Sequence, residues 1–168
     1  ISGNYNVQCS AADYARLGGH VDLALEIDGQ SSDYYKTQIN YAISIGNTSW
    51  ALSLISNGAN VNEKEALSNL TPLHYAVDAG NIEIVRALLN AGADPNVQSY
   101  AGTTPLRDAI VYYKKDIAKA LVDGGAKAGN AQSQGCGGGL TEFGWAVSYS
   151  QQDIAEYMIN NGAIDLRD

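Results

Sequence analysis

Two histidines, two cysteines and a run of glycines are the residues of this sequence that first suggest chemistry. His20 and His74 are of a type that suits acid–base catalysis or metal binding. Cys9 and Cys136 suggest a disulfide or a reactive thiol, and the glycines at 137–139 suggest a loop that cradles phosphate. Each of these functions requires partner residues at a defined spacing, so the neighbouring sequence decides between them.

The neighbouring sequence supplies no such partners. It has no serine nucleophile elbow, zinc-ligand spacing, HExxH pattern or dinucleotide-binding fingerprint. The glycine run lacks the Lys-Ser/Thr ending of a phosphate loop, and the oxygen-bearing residues at 60–65 and 93–98 do not fit an EF-hand. We therefore predict no enzymatic activity, no metal site and no cofactor, and we interpret the glycine run as a connecting or partner-contacting loop.

The charge of the chain limits its partners. The formal net charge is −8 and 45% of the residues are hydrophobic, which permits a core but repels nucleic acid and anionic lipid. No apolar run is long enough to span a bilayer. The sequence begins at Ile1 and is poor in lysine, which fits either a removed signal peptide or a trimmed chain. We expect a periplasmic or secreted protein, with a cytoplasmic one as the alternative.

The sequence repeats itself along most of its length. A segment that starts with threonine and ends with Gly-Ala recurs at intervals of 34, 33 and 37 residues, and a weaker copy opens the chain. The copies are 11–29, 37–59, 71–93, 104–126 and 141–163.

Each copy has the pattern of two short helices joined by a tight turn. Thr71 is placed to cap a helix that starts at Pro72, and Gly80 suits the reversal between the helices. Gly92 suits a left-handed end to the second helix, and Ala76 lets neighbouring units approach closely. Since no unit buries its own apolar face, the units must stack.

These residues resemble the ankyrin repeat family. The segment 71–96 carries T-P-L-H-x-A, then G-x-x-E-I-V, then L-L-x-x-G-A-D-x-N. The resemblance implies an all-α solenoid of about five helix-hairpin repeats with irregular terminal caps. We predict one domain, 1–168, with repeats at approximately 8–32, 33–66, 67–99, 100–136 and 137–168.

The resemblance also assigns structural roles to the chemically suggestive residues. His74 fills the family's histidine position, where the side chain hydrogen-bonds backbone near the neighbouring repeat. Cys9 and Cys136 belong to distant repeats, about 30 Å apart at roughly 10 Å per layer, so we expect no disulfide between them. Tyr113 stands where a turn glycine is usual, which makes the backbone there uncertain.

The partners of ankyrin proteins dock on the loop tips and on the first helix just before the turn, and tyrosine and leucine are common contact residues. By position we predict these contact residues: Tyr34, Ile45, Leu67, Leu70, Asp78, Tyr100, Thr103, Val111, Tyr112, Leu140 and Tyr149. Tyr41, Tyr75 and Trp145 share another position of the repeat, and their side chains are predicted to have a packing role instead.

The resulting hypothesis is a monomeric protein-binding module. Small bacterial ankyrin proteins include some that protect their maker by capping its own exported enzymes, so the specific expectation is an inhibitor or immunity factor against an exported enzyme such as a cell-wall hydrolase. The alternatives are a cytoplasmic scaffold or effector that assembles regulatory proteins, and self-association through the concave face.

Overall fold

The computed structural model describes residues 38–129 and 140–164. The described residues contain eight helices and divide between two compact units, 1–59 and 60–168. The helices are α1 (Ile39–Ser44), α2 (Thr48–Ser56), α3 (Pro72–Ala79), α4 (Ile82–Asn90), α5 (Pro105–Val111), α6 (Lys115–Asp123), α7 (Glu142–Ser148) and α8 (Gln152–Asn160). His20, Cys9, Cys136, Tyr34 and the glycines at 137–139 lie outside the described residues.

Short polar side chains begin several of these helices, as the repeat pattern predicts. The hydroxyl of Thr104 accepts a hydrogen bond from the backbone N–H of Arg107, at 3.2 Å. The side chain of Asn81 accepts from the N–H groups of Glu83 and Ile84, both at 3.1 Å. These bonds satisfy donors that have no partner inside the helix, so each helix starts at a defined residue.

The turn between the two helices of a pair uses a left-handed residue even where glycine is missing. Gly80 has a φ of 71°, and Tyr113 and Ser150 have φ values of 56° and 57° at the corresponding positions. The N–H of each donates to a carbonyl three residues earlier, at 3.0 to 3.1 Å. The backbone at Tyr113 therefore matches that of the glycine turn, at the steric cost that a side chain adds to positive φ.

Within the unit 60–168, three helix pairs stack in chain order. Helix α5 packs between α3 and α7, and α6 packs between α4 and α8. We call α3, α5 and α7 the inner helices and α4, α6 and α8 the outer helices. Ala76, Ala109 and Ala146 are fully buried on the inner helices, where their small side chains permit the close approach that the sequence predicts. Leu88, Leu121 and Met158 fill the core from the outer helices.

In the unit 1–59, α1 packs against α2. Ile39 and Ile43 of α1 and Leu54 of α2 are buried, and the ring of Trp50 meets that of Tyr41 edge-on at 6.0 Å. Tyr41 is nonetheless 57% exposed, so the predicted packing role is wrong for this residue.

Within the unit 60–168, two asparagine side chains each join one loop to the next along the stack. Asn62 donates to the carbonyl of Gly92 at 3.0 Å and accepts from the N–H of Asp94 at 2.8 Å. Asn96 makes the equivalent pair of bonds, to Gly125 at 3.2 Å and from Lys127 at 2.8 Å. Successive layers are thus held in register by amide groups as well as by apolar packing.

Candidate functional site

Two neighbouring loop tips project beside the inner helices and are bonded to each other. The N–H of Tyr100 donates to the carbonyl of Ser68 at 2.8 Å, and the side chain of Asn69 donates to the carbonyl of Gln98 at 2.5 Å. The second tip is closed by a bond from the N–H of Ser99 to the carbonyl of Thr103, at 2.9 Å. These contacts hold the two tips as one wall.

A groove of about 460 Å³ lies between this wall and the inner helices α3 and α5. We call it the tyrosine groove, because three tyrosines line it together with two aspartates and a few small or apolar residues. The lining residues are Ser68, Leu70, His74, Tyr75, Asp78, Ser99, Tyr100, Ala101, Thr103, Asp108 and Tyr112. Tyr100 and Tyr112 are 71% and 58% exposed, so both residues are available to a partner.

His74 is buried in the base of the groove and holds two repeats together. Its Nδ1 accepts from the N–H of Thr71 at 3.1 Å, which leaves Nε2–H to donate to the carbonyl of Thr103 at 3.4 Å. This is the neutral tautomer. Burial lowers the pKa of His74 below its ordinary value, although the bond to Thr103 acts in the opposite direction. The structural role expected of this histidine is confirmed.

Asp108 is the half-buried carboxylate of the groove. Its Oδ2 accepts from the hydroxyl of Thr103 at 3.5 Å. Burial raises its pKa to about 6, and the negative charge of Asp78 adds to the rise. The cations Arg107 and Lys114 act in the opposite direction. The charge of Asp78 on one inner helix therefore acts on the carboxyl group of Asp108 on the next.

Tyr75 is held by a carboxylate at the rim of the groove. Its hydroxyl donates to Oε2 of Glu65 at 3.0 Å, and Ser68 donates to the same oxygen. Burial raises the pKa of Tyr75, and the bond and charge of Glu65 raise it further. The phenol is thus a fixed neutral group whose hydroxyl points toward Glu65.

A lysine closes the end of α3 beside the groove. The Nζ of Lys114 donates to the carbonyls of Val77 and Asp78, both at 2.6 Å. The same atom lies 5.4 Å from the ring centroid of Tyr112. A cation at the carbonyl end of a helix is favourable, so Lys114 supports the helix end and the tyrosine together.

A second aromatic cluster lies on the next layer. The ring centroid of Tyr149 is 5.6 Å from that of Trp145 and 5.8 Å from that of Tyr113. The guanidinium of Arg107 lies 4.7 Å from the centroid of Trp145. Tyr149 is therefore half-buried among other rings.

The structure places five of the predicted contact residues together in the tyrosine groove: Leu70, Asp78, Tyr100, Thr103 and Tyr112. Four others of the unit 60–168 do not line it: Leu67, Val111, Leu140 and Tyr149. Leu67 is 90% exposed, Leu140 is 42% exposed just before α7, and Val111 is half-buried. Ile45 is 43% exposed in the unit 1–59. That these residues contact a partner stays a prediction.

Tyr75 and Asp108 are among the groove residues that sequence reasoning did not predict as contact residues. They occupy the same position in successive repeats, the one that was predicted to pack, whereas the structure turns that position toward the groove. Trp145 holds it in the following repeat and is only half-buried. The aspartate was the available signal, because a charged residue is rarely placed in a core position without a partner.

Comparison with known families decides the class of this protein. The family model for ankyrin repeats in three copies matches residues 11–99, more than half of the chain. The chain belongs to the ankyrin repeat family. No match was found among curated proteins. The helix pairs α5–α6 and α7–α8 lie beyond the matched range and repeat the arrangement of α3–α4, so the ankyrin architecture continues there.

Ankyrin repeats are protein–protein interaction modules, and the tyrosine groove lies between the loop tips and the inner helices. The described residues hold no cluster of histidine, cysteine and carboxylate side chains that suits a metal ion. No helix within 38–129 or 140–164 is long and apolar enough to cross a membrane.

Proposed function

We propose that the chain binds another protein through the tyrosine groove and the exposed residues beside it. The observation that carries this proposal is the convergence of Tyr75, Tyr100 and Tyr112 on one open groove of about 460 Å³. Tyrosine offers a large apolar face and a hydroxyl at a small cost in side-chain entropy, which makes it a frequent anchor of interfaces.

We further propose that the partner is an exported protein and that binding neutralises it, as an immunity factor neutralises an enzyme such as a cell-wall hydrolase. Support for export comes from composition: the chain has 11 tyrosines and 18 glycines but only 10 lysines and arginines together. Support for inhibition comes from the groove, whose residues suit recognition, because a recognition module acts by occupying the surface that it binds.

Capture from the envelope fraction of the source organism tests both statements. The full chain serves as bait beside a Tyr100→Ala/Tyr112→Ala/Tyr149→Ala variant, and the affinity of each captured protein is then measured. We expect the triple variant to bind at least about thirtyfold more weakly, since removal of anchor rings costs more than about 2 kcal/mol in total. An equimolar amount of the chain should also suppress the activity of a captured enzyme.

Ile159→Ala is the matched control, because Ile159 is 46% exposed on the outer helix α8. It should bind like the unaltered chain, and circular dichroism should show that all variants are folded. Unchanged affinity in a folded triple variant would remove these tyrosines from the binding site. Capture of only non-enzymatic proteins would contradict the neutralising role and favour a scaffold.

A further inference from the structure

Two carboxylates are the charged side chains in the described lining of the tyrosine groove. Asp78 and Asp108 line it from successive inner helices, whereas no lysine or arginine lines it within the part of the chain that the structure describes. His74 adds no positive charge, because its Nδ1 accepts a hydrogen bond from the N–H of Thr71 and its ring is therefore neutral.

Two cations that act on Asp108, namely Lys114 and Arg107, are held by other groups. The Nζ of Lys114 donates to the carbonyls of Val77 and Asp78, and the guanidinium of Arg107 lies over the ring of Trp145 on the next layer. Both offset part of the negative charge around Asp108, and neither is among the described lining residues of the groove.

The tyrosines of the groove suit the same kind of ligand. The face of an aromatic ring attracts a cation within about 6 Å of its centroid, and Tyr112 already holds Lys114 at 5.4 Å. Tyr75 and Tyr100 bring two further rings to the same space. A groove with two carboxylates and three phenol rings is complementary to a cationic side chain. The net charge of −8 on the whole chain favours the approach of such a group.

We propose that the tyrosine groove receives a lysine or arginine side chain from a basic segment of the partner protein. The alkyl stem would lie against Leu70 and the rings, while the charged head meets Asp78 and Asp108. This inference rests on the proposed protein-binding function and specifies the chemistry that the partner must present.

Titration of the full isotope-labelled chain with small cationic probes, followed by NMR at neutral pH, tests the inference. The probes are N-acetyl-arginine amide and N-acetyl-lysine amide, and their neutral counterparts are N-acetyl-citrulline amide and N-acetyl-norleucine amide. We expect saturable shifts at the amides of Asp78, Tyr100 and Asp108 with at least one cationic probe. We also expect an affinity for it at least about fivefold above that for its neutral counterpart.

Asp78→Asn/Asp108→Asn should weaken binding of the cationic probe by about tenfold. Glu156→Gln removes the same type of charge from the exposed surface of α8 and should leave the affinity within about twofold. Asp78 is exposed at the last turn of α3, so Asp78→Asn alone gives the result should the double variant fail to fold.

Equal binding of the neutral probes, shifts confined to other residues, or unchanged affinity in Asp78→Asn and the double variant would overturn the inference. Preferential binding of N-acetyl-glutamate amide would overturn it too. Binding of the captured partner to the variants distinguishes failure of this inference from failure of the proposed function. If the triple tyrosine variant loses the partner but Asp78→Asn keeps it, protein binding stands and the cationic anchor does not.

Discussion

At the scale of single residues, Asp108 ties the stability of the protein to pH. Its folded-state pKa is about 6, against an ordinary value of 3.8, so the folded chain holds this proton more tightly than the unfolded chain. The stability that this provides is fully present below pH 3.8 and is lost as the pH rises through about 6.

Asp108→Asn should therefore be more stable than the unaltered chain at pH 7. We expect a gain in the free energy of unfolding of about 1–2 kcal/mol, less than the full shift implies because the carboxylate is partly exposed. The gain should shrink as the pH falls toward 4. Urea unfolding at pH 4.5, 5.5 and 7 measures it, with the exposed Asp116→Asn as control. A pH-independent difference would contradict the assignment.

His74 acts in the opposite direction. Its folded-state pKa lies below the ordinary 6.5, so the unfolded chain takes up a proton first and stability falls as the pH drops below 6.5. His74→Ala should lower the free energy of unfolding by about 2–3 kcal/mol at pH 7, because the N–H of Thr71 and the carbonyl of Thr103 lose a buried partner.

The variant should also lose the part of the pH slope that lies just below 6.5. Denaturant curves at pH 5.5 and 7.5 test both effects. Unfolding of His74→Ala at the same urea concentration as the unaltered chain would show that the two backbone contacts contribute little.

The same pair of residues governs the pH dependence of the proposed cationic site. A cation binds the carboxylate of Asp108 better than its acid, so affinity for N-acetyl-arginine amide should rise several-fold between pH 5 and 7. The other charged or titratable groups that act on Asp108 or line the groove with it include Asp78 and His74 on α3, Arg107 on α5, Lys114 just before α6 and the three tyrosines of the groove. Protonation of His74 at low pH would weaken binding further. A flat profile would contradict the role of Asp108.

At the scale of the elements, a side chain at the positive-φ position of the turn between paired helices lowers the stability of the fold. Gly80 adopts positive φ without a side chain, whereas Ser150 adopts the same conformation with one. Ser150→Gly should raise the free energy of unfolding by about 0.5–1 kcal/mol, and Gly80→Ser should lower it by about 1 kcal/mol. A Cβ at Gly80 would meet only Lys114, at 3.8 Å, so sterics beyond the backbone do not explain the loss.

Thermal unfolding of both variants measures this pair of changes, and each serves as the control for the other. Changes of the same sign in the two variants would show that the backbone conformation is not what governs stability at these turns.

At the scale of the whole molecule, the net charge of −8 should accelerate association with a basic partner. We expect the association rate constant with the captured partner to fall roughly tenfold between about 0.05 and 0.3 M salt. Asp116→Asn/Glu156→Gln removes charge away from the groove and should slow association only. Asp78→Asn should mainly speed dissociation. A salt-independent association rate would contradict electrostatic steering.

Much of the fold followed from the sequence because its determinants are local and recur. Thr71, Pro72 and Gly80 each specify one helix start or turn through the nearest backbone groups, and their recurrence near every thirty-fourth residue requires stacking. The ankyrin fold and its helix pairs were therefore predictable. Even Tyr113 adopts the positive φ that glycine has at the same turn position. The single-domain boundaries and the count of five repeats stay predictions.

The tertiary structure alone decided which side of the inner helices is open. Tyr75 and Asp108 share a position that the sequence pattern assigns equally well to a core or to a groove, because both lie beside buried residues on a short helix. The groove exists because Tyr100 bonds to Ser68, which precedes it by one repeat, and closes a wall that no single repeat contains. The pKa of Asp108 likewise depends on Asp78 of the preceding repeat. Local patterns encode elements, whereas burial and charge in a site depend on neighbours that only stacking brings together.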